Sequence, residues 1–358
     1  MTQGALPARA DAADRLGQLD GLRGLAACAV AFLYHPQALF APAALAQAGP
    51  VLGWFHRFGW TLVDLFFVLS GFLFAHVYRG GLALEPTGAI KRFAMARVAR
   101  LYPLHLVMLL VCAVLFFGQA GNTALAFGAH LLMLQDFAPM PGQSFDGPAW
   151  SISVECVCYG LFALGASAGQ RSLRRLSAVL AAGALGLLVW RGLPGGPWDA
   201  DDLLRGLAGF FVGQLVWRGR DALARVPSVV LAAVLVAGLV LAEGPWSAIP
   251  PLTLLAWPAA LLLALRIPVM GSAPLLWLGS RSYAIYLIHQ PVIALVRRSF
   301  GVIDGSVTQV VAVNLALIAA VLALSDLALR MIELPAQRAI LSWSKRGEAG
   351  AEAVRMAA

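Results

Sequence analysis

The sequence predicts an all-α protein, a polytopic bundle of about ten transmembrane helices. Two observations carry this. The chain has 358 residues, of which 60% are hydrophobic and only 12% charged, where an ordinary soluble domain carries about 25% charged residues. A soluble fold of this length would bury a large core but would lack a polar skin, so the surface must face lipid. The charges also cluster between long uncharged runs, the pattern of spans and loops.

The runs, in order, are 22–40, 58–78, 99–118, 149–167, 176–191, 203–217, 227–243, 249–265, 275–296 and 308–331. Each comes near the ~20 residues that a helix needs to cross a bilayer. The segment 123–137 is apolar but short and contains His130, which predicts an amphipathic or re-entrant helix rather than a span. The basic residues set the orientation. With the N-terminus inside, the inner segments hold 21 of the Lys and Arg residues. The outer segments hold five: Arg57, Arg191, Arg205, Arg297 and Arg298. Such asymmetry predicts a multi-pass protein of the inner (plasma) membrane with both termini cytoplasmic.

Three regions follow: a polar leader over 1–20, a transmembrane domain over 21–336, and a cytoplasmic tail over 337–358. The end of that tail is charged, Ala-rich and expected to be disordered. A signal peptide offers a competing account of the first span, because Arg15, Arg23 and the apolar run from Leu25 to Phe40 precede Ala44-Leu45-Ala46. His35 inside the run argues against it. Gly209 and Gly213 form a small-xxx-small pair that predicts close helix packing.

The net charge of +8 does not point to nucleic acid, because no basic stripe is interleaved with aromatic residues. The basic residues are nearly all Arg, and Ala, Leu and Gly abound, which points to GC-rich coding and a bacterial source. The cysteines, Cys28, Cys112, Cys156 and Cys158, lie inside apolar runs without metal-ligand spacing, and read as packing.

Ionisable residues are costly in lipid, so those within spans face a protein interior or a wet cavity. Five spans donate one each: His35, Asp64, Glu155, His289 and Glu333. A His with carboxylates in such a cavity has the makings of a base and its orienters. The plainer alternative is that these groups pair with one another and hold helices together.

At these residues the chain resembles the membrane acyltransferase-3 family, integral O-acyltransferases that modify glycans, nodulation factors and macrolides. Leu19-Asp20-Gly21-Leu22-Arg23-Gly24-Leu25 followed by His35 is similar to the family's first-helix signature, and Asp64 through Phe72 to its second-helix motif. Arg97-Val98-Ala99-Arg100-Leu101-Tyr102-Pro103 resembles the basic start of its third helix. Gly147 through Glu155 resembles the Trp-Ser-hydrophobic-Ser-x-Glu element, and Ser282 through Pro291 the Tyr-x-x-Tyr-Leu-x-His block. The resemblance runs from Leu19 to Pro335.

The resemblance implies an acyl-CoA-dependent O-acyltransferase, with a short acyl group, acetyl foremost, moved from acetyl-CoA to a hydroxyl. It implies His35 as catalytic base with Arg23 as partner, and Asp64 or Glu155 as orienting groups. Arg97 and Arg100 would meet the CoA phosphates, as suits arginine geometry, although both also serve as topogenic charge. Trp150, Ser153, Tyr286 and His289 are the implied substrate contacts. Acyl-CoA enters as a co-substrate, and no metal or bound redox cofactor is implied. The acceptor would be a glycan, a lipid-linked saccharide or a macrolide. A transporter or flippase with an intramembrane polar pathway is the competing class.

One departure bears on the site. The family has ten residues between the basic residue and the His, whereas here there are eleven, Gly24 through Tyr34. At ~100° per residue, eleven steps leave the two side chains about 20° apart, and twelve steps about 120°. A π-bulge within Ala26–Tyr34 would restore the register, and such bulges favour functional sites.

Overall fold

The computed structural model describes residues 16–45, 49–79, 86–137, 144–192 and 201–357. The leader before Leu16 lies outside them. Among the described residues the chain is helical, with a single isolated bridge between Phe40 and Ile303.

The helices are α1 (Gly17–Ala29), α2 (Gly49–Val77), α3 (Pro86–Leu115), α4 (Ala124–Leu131) and α5 (Trp150–Ser167). Then come α6 (Gln170–Arg191), α7 (Asp202–Arg218), α8 (Ser228–Leu241) and α9 (Ile249–Ala264). Finally α10 (Ala273–Phe300), α11 (Val307–Ala328) and α12 (Leu334–Ala357) complete the chain. Five of the helical segments are long and apolar enough to cross a bilayer by length and composition: Gly49–Val77, Gly88–Leu115, Gly147–Ser167, Gln170–Arg191 and Val307–Ser344. The other expected spans coincide with α1, α7, α8, α9 and α10, which are shorter or carry polar groups that face the interior. The 8-residue α4 covers only about 12 Å at 1.5 Å per residue, too little to cross.

Helix direction fits a segment around α4 that does not cross. Asp64 of α2 meets Arg205 of α7, and further along both helices Gln214 donates to the Gly71 carbonyl at 2.8 Å. The two helices therefore run parallel. They are the second and sixth spans, so an even number of crossings separates them only if the segment around α4 does not span. In the same way α1 runs parallel to α10, with Gly24 near Gly279 and His35 beside His289.

Glycine makes both parallel contacts close. A Cβ on Gly213 would strike the Val68 carbonyl, and one on Gly71 the Phe210 backbone, so the expected Gly209–Gly213 pair does bring α7 against α2. On α1 and α10, Gly24 and Gly279 do the same against Leu278 and Asp20. Close backbone approach is how membrane helices gain dispersion contacts without a hydrophobic driving force.

Two helix continuations matter for the site. After α1 the chain passes through a π-helical turn, Val30–Tyr34, and a 3₁₀ turn, His35–Leu39. After α11 it passes through another π turn, Leu329–Glu333, into α12. The tail expected to be disordered is instead the continuation of that helix to Ala357. Extending an existing helix avoids the nucleation cost, and Ala is the best helix former.

Candidate active site

The π turn falls where the eleven-residue spacing calls for one, and its consequence is visible on α10. Arg23 Nε donates to Ser282 Oγ at 3.1 Å, while His35 Nδ1 lies 2.9 Å from His289 Nε2. Ser282 and His289 are seven residues apart, two helical turns on one face. Arg23 and His35 therefore address the same face of α10, although they do not touch each other.

Hydrogen-bond logic assigns the protons of the two imidazoles. His289 is fully buried, and its Nδ1 sits 3.1 Å from the Ile285 carbonyl oxygen. A carbonyl only accepts, so Nδ1 carries the proton. In neutral His289 the Nε2 is then bare, and the proton between the rings belongs to His35 Nδ1. His35 is left with a bare Nε2, the nitrogen able to accept a proton from a hydroxyl.

His35 lines a small hollow of about 20 Å³ with Tyr34, Trp60, Val63, Trp150, Arg205 and Tyr286 among its walls. That volume admits one water-sized group. Val63 and Tyr286 also line a larger chamber of about 310 Å³. Arg23, Arg97, Arg100, Ser70, Glu155 and Tyr159 stand around that chamber. Its walls come from α1, α2, α3, α5 and α10.

The chamber's cations differ. Arg100 Nη1 pairs with Glu333 at 2.6 Å and lies over the Tyr283 ring. Arg97 lies over the rings of Phe74, Phe93 and Tyr159, and its buried Nε has no acceptor among the described residues. Glu155 accepts from Ser70 Oγ at 3.0 Å and from the Tyr159 hydroxyl.

Asp64 and Glu155, expected as orienting groups, are not brought to His35. Asp64 instead holds Arg205, which donates from Nε to Oδ1 at 3.1 Å and from Nη2 to Oδ2 at 3.3 Å. Of the implied substrate contacts, Trp150 and Tyr286 line the hollow, and His289 lies behind His35. Ser153 points away, accepting from the Asp136 backbone N–H at 3.3 Å.

Arg205 is the residue that sequence reasoning misplaced, by counting it among outer topogenic charges. It is 1% exposed, lies over the rings of Trp60 and Trp150, and also donates to Asp202 at 2.7 Å. A signal was available: Asp202 and Arg205 are three residues apart at the start of an apolar run, the spacing of a helical ion pair.

The segment between α3 and α5 packs its polar groups inward. His130 Nε2 lies 3.1 Å from Ser144 Oγ, and its ring stacks on His105. Burial, reinforced by His105, pushes the His130 imidazole down to about 4, and burial pushes the Asp136 carboxyl up to about 6. These groups brace the loop and line neither cavity.

Fold and site together describe a helical membrane protein with a buried histidine pair beside an arginine-lined chamber. The chain belongs to the acyltransferase-3 family: the family's acyltransferase domain matches residues 16–330. It is similar to Acyltransferase MdmB of Streptomyces mycarofaciens, at 31% identity over 334 residues, covering 80% of this chain and 81% of that protein. It is also similar to Protein 2 in picA locus of Rhizobium radiobacter, at 32% identity over 200 residues, covering 49% of this chain and 94% of that protein. No solved structure matches. The protein is an acyltransferase.

Proposed function

We propose that this acyltransferase takes a short acyl group, acetyl foremost, from acyl-CoA and places it on a hydroxyl of a carbohydrate, lipid-linked saccharide or macrolide. The observation that carries the reading is the junction of the two cavities. The chamber offers arginines for the CoA phosphates and shares Val63 and Tyr286 with the hollow where His35 presents a bare Nε2. An acyl thioester seated in the chamber would bring its carbonyl to that shared wall. His35 would then take the acceptor's proton, with His289 fixing its tautomer. Arg97 and Arg100 serve the donor phosphates, while Arg23 steadies α1 against α10 through Ser282.

His35→Gln tests the reading, because Gln keeps a hydrogen-bonding side chain but is no base at neutral pH. Transfer from acetyl-CoA by the purified protein is expected to fall about 10²–10⁴-fold, with membrane level and thermal stability near wild type. A Gln variant with normal transfer would end the base assignment.

The orientation belongs to the same proposal: chamber and both termini face the cytoplasm of the inner membrane. Reporter fusions after Gln170 and Lys345 are expected to read cytoplasmic, and those after Gly121 and Gly244 external. A cytoplasmic signal after Gly121 would sink this topology.

A further inference from the structure

The hollow beside His35 holds a cation that the proposed chemistry has not yet used. Arg205 is fully buried, so its charge is carried at a cost that only firm partners offset. Those partners come from two helices, Asp64 on α2 and Asp202 on α7, with the rings of Trp60 and Trp150 against the guanidinium. Three of its five N–H groups are engaged by the two carboxylates. Each terminal nitrogen keeps one N–H without an acceptor among the described residues. This arginine also lines the small hollow into which His35 is set.

We propose that Arg205 is a catalytic residue of the transfer, donating its remaining N–H groups to the oxygen that becomes negative as the acyl carbonyl is attacked. The inference rests on the acyl-CoA reading above. The acceptor hydroxyl oxygen bonds to the thioester carbonyl carbon while its proton passes to His35 Nε2. The carbonyl π pair moves onto oxygen, and Arg205 meets that oxyanion. The C=O bond then re-forms, the C–S bond breaks with its pair on sulfur, and the imidazolium returns the proton to the thiolate, giving ester and thiol. Donors held in place before the reaction need no rearrangement as charge develops, which is the most effective form of electrostatic catalysis. The two carboxylates and two indoles supply that rigidity.

The experiment measures steady-state transfer by the intact protein in lipid nanodiscs, with acetyl-CoA as donor and the acceptor varied. Arg205→Ala is expected to lower kcat about 10²–10³-fold, the effect of removing one oxyanion donor, with the KM for acetyl-CoA within a few-fold of wild type. Millimolar guanidinium is expected to restore part of kcat in Arg205→Ala and nothing in His35→Gln, a rescue that a packing role would not produce. Because lone removal of a buried charge endangers folding, Asp64→Asn and Asp202→Asn are combined with Arg205→Gln, which removes all three charges together, and this triple variant is expected to fold and to show the same kcat loss. A folded triple variant with wild-type kcat, or a folded Arg205→Ala without rescue, would overturn the proposal. Failure of both variants to insert would also overturn it, by marking the position as structural. If wild-type protein does not consume acetyl-CoA, the underlying reading fails instead. If wild type is active, His35→Gln is dead and the Arg205 variants are normal, only this inference fails.

Discussion

The two polar regions of the bundle handle positive charge in opposite ways. In the chamber Arg23, Arg97 and Arg100 are partly exposed, and each has at most one carboxylate partner, the rest being a hydroxyl, a backbone carbonyl or aromatic faces. In the hollow Arg205 is buried and held by two carboxylates from two helices. An arginine that must exchange partners keeps water contact and weak ties, because a screened pair contributes little. An arginine that must not move is desolvated and over-held. Under the proposed chemistry the chamber would bind and release, while the hollow would stay fixed.

The largest test of that contrast is on folding. Asp64→Ala leaves Arg205 half-paired in the interior, and losing one partner of a buried pair costs about 3–5 kcal/mol. Membrane accumulation of this variant is expected to collapse, as read by quantitative immunoblot and thermal unfolding. If it accumulates normally, the hollow is not the rigid region.

The next effect is on binding. Arg97→Gln with Arg100→Gln should leave folding intact and raise the apparent KM for acetyl-CoA more than that for acceptor. Each charge-assisted hydrogen bond lost is about 1.5–3 kcal/mol, so one bond alone predicts an increase of roughly 10-fold or more. Loss of kcat at unchanged KM would instead place these arginines in the chemistry. An unchanged donor dependence would return both to topogenic charge.

The smallest effect has the opposite sign. Glu333 occupies Arg100 in the present arrangement. If Arg100 must leave it to meet a phosphate, Glu333→Gln should lower the acetyl-CoA KM by a few-fold. A rise in KM would show that the pair orients Arg100 rather than competing for it.

Much of the fold was legible because lipid imposes simple rules. Apolar runs marked the helices, the Arg distribution marked their ends, and Gly209 with Gly213 marked a contact. The eleven residues between Arg23 and His35 even pointed to the π turn, since a rigid helix offered no other way to align them. The tail was misjudged because charge and Ala content were weighed without the helix that precedes it.

The candidate site was legible only as a set of polar residues in apolar surroundings. Sequence by itself determined the helices and the fact that His35, Asp64, Glu155 and His289 must face inward, because hydrocarbon offers them no partner. Only the tertiary structure decided who pairs with whom. His35 takes its tautomer from a histidine 254 residues away, and Asp64 turns to Arg205 rather than to the base. Such pairings depend on how far glycines let α1 approach α10 and α2 approach α7. That is a property of two packed surfaces, which no single stretch of sequence contains.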